Sequence, residues 1–211
     1  MTPGFDDGFR DRLEELILWR RDVRRFRGDA VDPALIERLI GLACLSPSVG
    51  NSQPWRFVLV EAPACRQAVR ASFVSCNSDA LHDYHGERAR VYATLKLSGL
   101  DQAPVHLAVF CERGTATGHG LGRRTMPETL DYSVVAAVQT FWLAARAYGL
   151  GVGWVSILDP VAVATALDVP DGWALISYLC VGWPEEEHAD PELVRHGWQD
   201  RLSTPGLISR R

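Results

Sequence analysis

The apolar positions along the chain fall into two rhythms. Phe9, Leu13, Leu16 and Ile17 recur at helical spacing behind the acidic start Asp6-Asp7, and Leu35, Ile36, Leu39, Ile40 and Ala43 do the same behind Asp32-Pro33. In the second case the aspartate can cap the helix and the proline can open it, because the first helical residue has no partner for an N–H. Ser46-Pro47 stops this helix, since the residue before a proline is pushed out of the helical region. Shorter apolar runs, Trp55 to Glu61, Pro104 to Cys111, Gly151 to Ile157 and Trp173 to Trp183, read as strands. Residues 63–99 predict two helices joined by a polar turn near Asn77-Ser78-Asp79, the second at roughly 84–98. Residues 127–149 predict the longest helix. Its apolar residues, Val134, Val135, Ala137, Val138, Phe141, Trp142, Ala144 and Ala145, wrap most of the circumference, which suits a core spine or a subunit contact. Asp159-Pro160 opens another helix. From Pro184 onward the chain turns polar, with one short helical piece near Glu192–His196, as expected of an arm wrapped over a second subunit.

No linker or repeat divides the 211 residues, so residues 1–211 are expected to form one domain with an arm at about 184–211. Hydrophobic residues make up 47% and charged residues 23%, which is an ordinary globular balance. No apolar run reaches the roughly 18 residues of a membrane span. The start MTPGFDDGFRDR is acidic and lacks the apolar stretch of a secretory signal, so a cytoplasmic protein is expected. The five cysteines are scattered without a C-x-x-C, which fits buried free thiols rather than a disulfide framework or a zinc site. His82 and His85 stand at helical spacing but no further ligand accompanies them, so no metal is expected.

Charge changes the picture at one place. The formal net charge is −4, yet Arg20, Arg21, Arg24, Arg25 and Arg27 crowd into Arg20–Arg27, with Asp22 lodged among them. Such a run is either a solvated helix end or a site for one anion, and the arginine fork suits phosphate. If the first helix continues into it, Arg20 and Arg24 lie four apart on one face and can close on the same phosphate. Asp22 either neutralises its neighbours or is a carboxylate held beside a bound anion. A nucleic-acid surface is disfavoured, because no basic stripe with interleaved aromatics extends beyond Arg27. Ser48-Val49-Gly50-Asn51-Ser52-Gln53-Pro54 is either a plain helix-to-strand connection or a polar ligand loop. The glycine-rich stretch Arg113 to Thr125 matches neither a dinucleotide fingerprint nor a P-loop and is expected to be a mobile surface loop, with a lid as the lesser alternative. Gly151-Val152-Gly153-Trp154-Val155-Ser156 offers backbone that a flat ligand could approach, while Ser156 could be an ordinary strand serine.

Arg-Arg-x-x-Arg, then Ser-Pro-Ser-Val-Gly-Asn-Ser-Gln-Pro-Trp before a strand, then a long apolar helix and Gly-Val-Gly-Trp-Val-Ser, taken in that order, resemble the nitroreductase-like flavoproteins. The resemblance spans about residues 12–203. It implies an α+β fold, a mixed but mostly antiparallel sheet surrounded by helices, in an intertwined homodimer with FMN at the subunit interface. Arg-Arg-Asp-Val-Arg, Leu-Lys-Leu-x-Gly (95–99) and Trp-Leu-Ala-Ala-Arg-Ala (142–147) are most similar to the branch that consumes its flavin. There reduced FMN is the substrate, and O2 drives its fragmentation to 5,6-dimethylbenzimidazole and erythrose 4-phosphate, toward the lower ligand of cobalamin. A separate flavin reductase would supply the reduced FMN. By this resemblance Asp22 and Ser156 are the catalytic candidates. Arg20, Arg21, Asp22, Val23, Arg24, Ser48, Asn51, Gly153 and Arg201 are the FMN-binding candidates, and no membrane or nucleic acid is involved. The alternatives are a conventional NAD(P)H nitro- or quinone reductase, which keeps its FMN, and a flavin-sequestering protein.

Overall fold

The computed structural model describes residues 4–211. Helix α1 spans Asp7–Trp19 and is capped by Asp6, whose carboxylate accepts the Phe9 N–H at 2.8 Å. It ends at Arg20, where ψ opens to 116°. The arginine stretch is therefore extended, and the face expected to join Arg20 and Arg24 does not form. The reason is pairing on both sides. Asp22 forms a parallel bridge with Val152, and the Val23 N–H donates to the Val152 carbonyl at 3.0 Å. Arg27 N–H donates to the Trp183 carbonyl at 2.8 Å, and Phe26 bridges Pro184. These backbone bonds replace those the helix would have made.

Helix α2 (Pro33–Ala43) starts as its Asp32-Pro33 signature predicts and buries Ile36, Leu39 and Ala43. Four strands follow, β1 (Trp55–Leu59), β2 (Val105–Glu112), β3 (Gly151–Val155) and β4 (Trp173–Gly182), in the antiparallel order β1-β2-β4-β3. The Asp22 bridge adds the one parallel contact among the described residues, at the outer edge of β3. Strand β2 is buried on both faces. Leu107, Val109 and Cys111 belong to a core shared with α2 and the long helix α5 (Thr129–Ala147), while Ala108 and Phe110 face α3 (Pro63–His82) and α6 (Pro160–Ala166) through Val69 and Val163. Alternation of side chains in a strand produces this two-sided core.

Three expectations change. The polar turn at Asn77-Ser78-Asp79 is absent, because α3 runs through it to His82. Asn77 is held by the Tyr92 hydroxyl, which donates to its side-chain oxygen at 2.8 Å. The break falls instead before α4 (Gly86–Thr94), where Gly86 takes a φ of +61°. The glycine-rich loop is docked rather than free: a Cβ on Gly118 would stand 2.5 Å from the Gly50 carbonyl, and one on Gly50 2.7 Å from the Leu121 carbonyl. Glycine allows the two loops to touch backbone to backbone. Of the five cysteines only Cys111 and Cys180 are buried, although all are free thiols.

Candidate functional site

Extended backbone alternates its side chains, so the arginine stretch presents them to different partners. Asp22 sits at the centre. Its Oδ1 accepts the Trp154 N–H at 2.9 Å and its Oδ2 accepts Arg24 Nε at 2.8 Å. About a third of its side chain (32%) stays open, toward two cavities that meet there. Burial pushes its carboxyl above the usual carboxylate range, against the opposing pull of Arg24 and the Trp154 N–H. Arg24 is itself oriented, since its Nη1 donates to the Lys96 carbonyl at 3.1 Å.

A cavity of about 140 Å³ is lined by Arg20, Arg21, Asp22, Arg24, Glu192 and Arg201. Arg20 stacks its guanidinium 5.0 Å from the Trp142 ring centre, and the Trp142 indole N–H donates to the Arg21 carbonyl at 3.2 Å. Arg21 Nε donates to the Ala189 carbonyl at 2.7 Å. Arg25 turns away to Glu192 (2.9 Å) and Glu186 (3.1 Å). Burial first, and repulsion from Arg201 in the same direction, hold the guanidiniums of Arg20 and Arg21 below their ordinary value, while Asp22 pulls Arg20 the other way. With Arg24 paired to Asp22, the three remaining cations Arg20, Arg21 and Arg201 form the donor set an anionic oxygen cluster would relieve, and Arg forks can bind it bidentately. The residues present therefore fit a phosphate.

The other candidates lie elsewhere. Val23 lines the adjoining cavity, beside Arg21 and Asp22. Gly153 lies under Val23: a Cβ there would stand 2.1 Å from the Val23 carbonyl. Its bare α-carbon makes room for this chain's own backbone at Val23. Ser48 accepts the Gln53 N–H at 3.0 Å, and Asn51 is exposed with a φ of +52° in a 3-10 turn spanning Val49–Asn51. That turn is fixed to α5 by the Ser133 hydroxyl, which accepts the Val49 N–H at 3.0 Å. Ser156 is exposed just beyond β3, where it lines a separate cavity with Ser177, whose buried hydroxyl has no partner. The structure thus gathers Arg20, Arg21, Asp22, Arg24 and Arg201 around one cavity and leaves Ser48, Asn51 and Ser156 outside it.

Sequence reasoning missed Glu192, Trp142 and the Lys96 carbonyl as parts of this site. Signals existed for two: Trp142 opens Trp-Leu-Ala-Ala-Arg-Ala, and Lys96 lies in Leu-Lys-Leu-x-Gly. The glycine of the latter, Gly99, is needed because a Cβ would stand 2.3 Å from the Phe26 ring. Glu192 lay in the short helix expected near the C-terminus and carried no motif.

Residues 17–183 match the pattern of the Nitroreductase family. The chain is 58% identical over 203 residues to the 5,6-dimethylbenzimidazole synthase of Rhodospirillum rubrum, covering 96% of each chain. It is 50% identical over 200 residues to the enzyme of the same name from Rhodobacter capsulatus, covering 95% of this chain and 97% of that one. An NADH dehydrogenase of Thermus thermophilus is 31% identical over 186 residues, covering 81% of this chain and 85% of that one. Among solved structures, an iodotyrosine deiodinase bound to FMN and 3-iodo-L-tyrosine superposes with a TM-score of 0.70 at 24% identity, covering 83% of this chain and 91% of that one. With the family pattern spanning most of the chain and close relatives along nearly its whole length, this protein belongs to the nitroreductase family.

Proposed function

We propose that this protein is a 5,6-dimethylbenzimidazole synthase that binds reduced FMN and, with O2, fragments it to 5,6-dimethylbenzimidazole and erythrose 4-phosphate. The observation that carries the reading is the pairing of Arg20, Arg21 and Arg201 with Asp22 around one cavity. The names of the relatives at 58% and 50% identity support it. When bound, the reduced flavin supplies both the electrons for O2 and the carbon skeleton of the product.

The chain's own residues then have definite tasks. Arg20, Arg21 and Arg201 hold the phosphate, so that binding energy far from the reacting atoms fixes the ribityl chain. Trp142 braces Arg20 from behind. Asp22 stands next to that clamp and is the base that removes protons from the ribityl end. Its Oδ1 bond to Trp154 N–H and its Oδ2 bond to Arg24 fix the carboxylate direction. Ser156, Ser48 and Asn51 serve the ring end. A second copy of the chain completes that end in a homodimer. Support comes from the outward apolar faces: Phe9, Leu13, Ile17 and Leu18 on α1, and Tyr132 and Val135 on α5, are all exposed. A separate flavin reductase supplies the reduced FMN.

The test is anaerobic photoreduction of FMN with excess protein, admission of air, and chromatography. The expected result is loss of flavin with stoichiometric appearance of 5,6-dimethylbenzimidazole. Quantitative recovery of FMN, together with steady NADH oxidation in the presence of a quinone, would instead make the protein a conventional reductase.

A further inference from the structure

The arm beyond α7 (Glu192–Arg195) carries Arg201, yet almost nothing holds it. From Arg195 to Arg211 every residue is exposed except Trp198. Arg201 makes no hydrogen bond or ion pair among the described residues, although it lines the anion cavity beside Arg20 and Arg21. An exposed arm of this kind frays unless something ties it down. The tie is aromatic. The Trp198 ring meets Tyr84 edge-on at 5.3 Å and lies 6.1 Å from Tyr92, while Arg88 sits 5.7 Å from its centre. Tyr84 and Tyr92 stack on each other at 4.8 Å. Tyr92 is buried, and its hydroxyl donates to Asn77 of α3 at 2.8 Å, so the surface that receives Trp198 is anchored to α3.

The turn that aims Trp198 is built into the chain. Gly197 takes a φ of +68°, and the Trp198 N–H donates back to the Leu193 carbonyl at 2.8 Å. This reversal is the glycine-ended helix stop expected where the chain must fold back on its own last turn. The same cluster is linked through the chain to Arg24, another residue lining the cavity. Helix α4 carries Tyr92, and two residues past its end at Thr94 comes Lys96, whose carbonyl holds Arg24, the partner of Asp22. Aromatic pairs at these centroid distances attract one another beyond the burial of their area, which ties a short arm to one place.

We infer that Trp198 is a positioning residue: by docking on Tyr84 and Tyr92 it holds Arg201 against the phosphate of the bound flavin nucleotide. This rests on the phosphate reading of the arginine cavity given above. Trp198 itself touches no ligand. Its effect passes through Arg201, so it selects for the phosphate and is indifferent to the ring.

The experiment measures dissociation constants of oxidised FMN and of riboflavin by flavin fluorescence, with a melting curve for every protein. The proteins are wild type, Trp198→Ala, Trp198→Phe, Arg201→Ala and the Trp198→Ala/Arg201→Ala double variant. Preference for FMN over riboflavin in the wild type tests the phosphate reading alone, and equal binding there would overturn both claims. Trp198→Ala is expected to weaken FMN about tenfold, the size of one charge-assisted bond, and to leave riboflavin unchanged. Trp198→Phe should restore most of the preference. The double variant should bind FMN no more weakly than Arg201→Ala, because the two residues act through one contact. A wild type that prefers FMN, with a Trp198→Ala variant that keeps the preference, or loses both flavins equally, or multiplies with Arg201→Ala, would overturn the positioning role while leaving the phosphate reading intact.

Discussion

At the arginine end of the site, four of the cavity's side chains are already held by this one chain, whereas at the serine end the polar side chains share no cavity with it. Asp22 is fixed by two hydrogen bonds, Arg24 by the Lys96 carbonyl, Arg21 by the Ala189 carbonyl and Arg20 by the Trp142 ring. Ser48, by contrast, is engaged with its own loop, Asn51 is exposed, and Ser156 stands open beyond β3. The difference teaches that the tail of the proposed ligand has a preorganised anchor and its ring does not. Preorganised charge needs no rearrangement when the ligand arrives, which is where rate enhancement is gained. An open ring end suits a surface that a second copy covers.

The largest effect is expected at Asp22. Asp22→Asn should lower product formation about 100-fold or more, within the range for loss of a general base, while FMN affinity changes only a few-fold. A base works in its ionised form, and burial holds the folded Asp22 above the ordinary carboxylate range. The rising limb of kcat/KM against pH should therefore lie above that range. Arg24 lowers the carboxyl, so Arg24→Gln should displace the limb to still higher pH. Acid unfolding must be separated from this limb. Buried His106 is held at about 4 against an ordinary 6.5, so the unfolded chain binds more protons between those values. Stability is then fully present above 6.5 and falls as pH drops toward 4, a loss to be followed by circular dichroism.

Next in size, Arg20→Ala should weaken FMN about 10–100-fold and riboflavin hardly at all, as for a charge-assisted hydrogen bond read by titration. Ser156→Ala should lower product yield by roughly 2–10-fold without changing FMN affinity, the size of a neutral hydrogen bond. The smallest effect belongs to Ser48→Ala, which removes the acceptor of the Gln53 N–H and should cost about 1 kcal/mol in urea melts, with FMN affinity lowered only about twofold. A ring-end variant that abolished binding, or an arginine variant that spared it, would reverse the comparison.

Much of this was legible in the sequence, for reasons that differ by element. Helix α2 follows from Asp32-Pro33 and its apolar spacing, because capping and proline chemistry are local. The arginine stretch was legible as chemistry but not as conformation. Its extended form depends on Val152 and Trp183, more than a hundred residues away in the chain, and local spacing carries no trace of them. The same holds for Asn77, which reads as a turn residue until Tyr92 satisfies it inside a helix. Gly153 carried a real signal of close approach, but sequence could not say that the approaching group is Val23. Arg20, Arg21, Asp22, Arg24 and Arg201 do converge, whereas the distance of Ser48, Asn51 and Ser156 from them is a fact of packing alone.

The sharpest test replaces reduced FMN with reduced riboflavin in the air-admission experiment, at equal concentration and with limiting protein. The ring is identical and only the phosphate is missing. An anchored tail predicts that kcat/KM for loss of reduced riboflavin falls by about 100-fold or more, two charge-assisted contacts' worth. Equal rates and equal benzimidazole yields from the two flavins would show that the arginine cavity does not hold the reacting molecule.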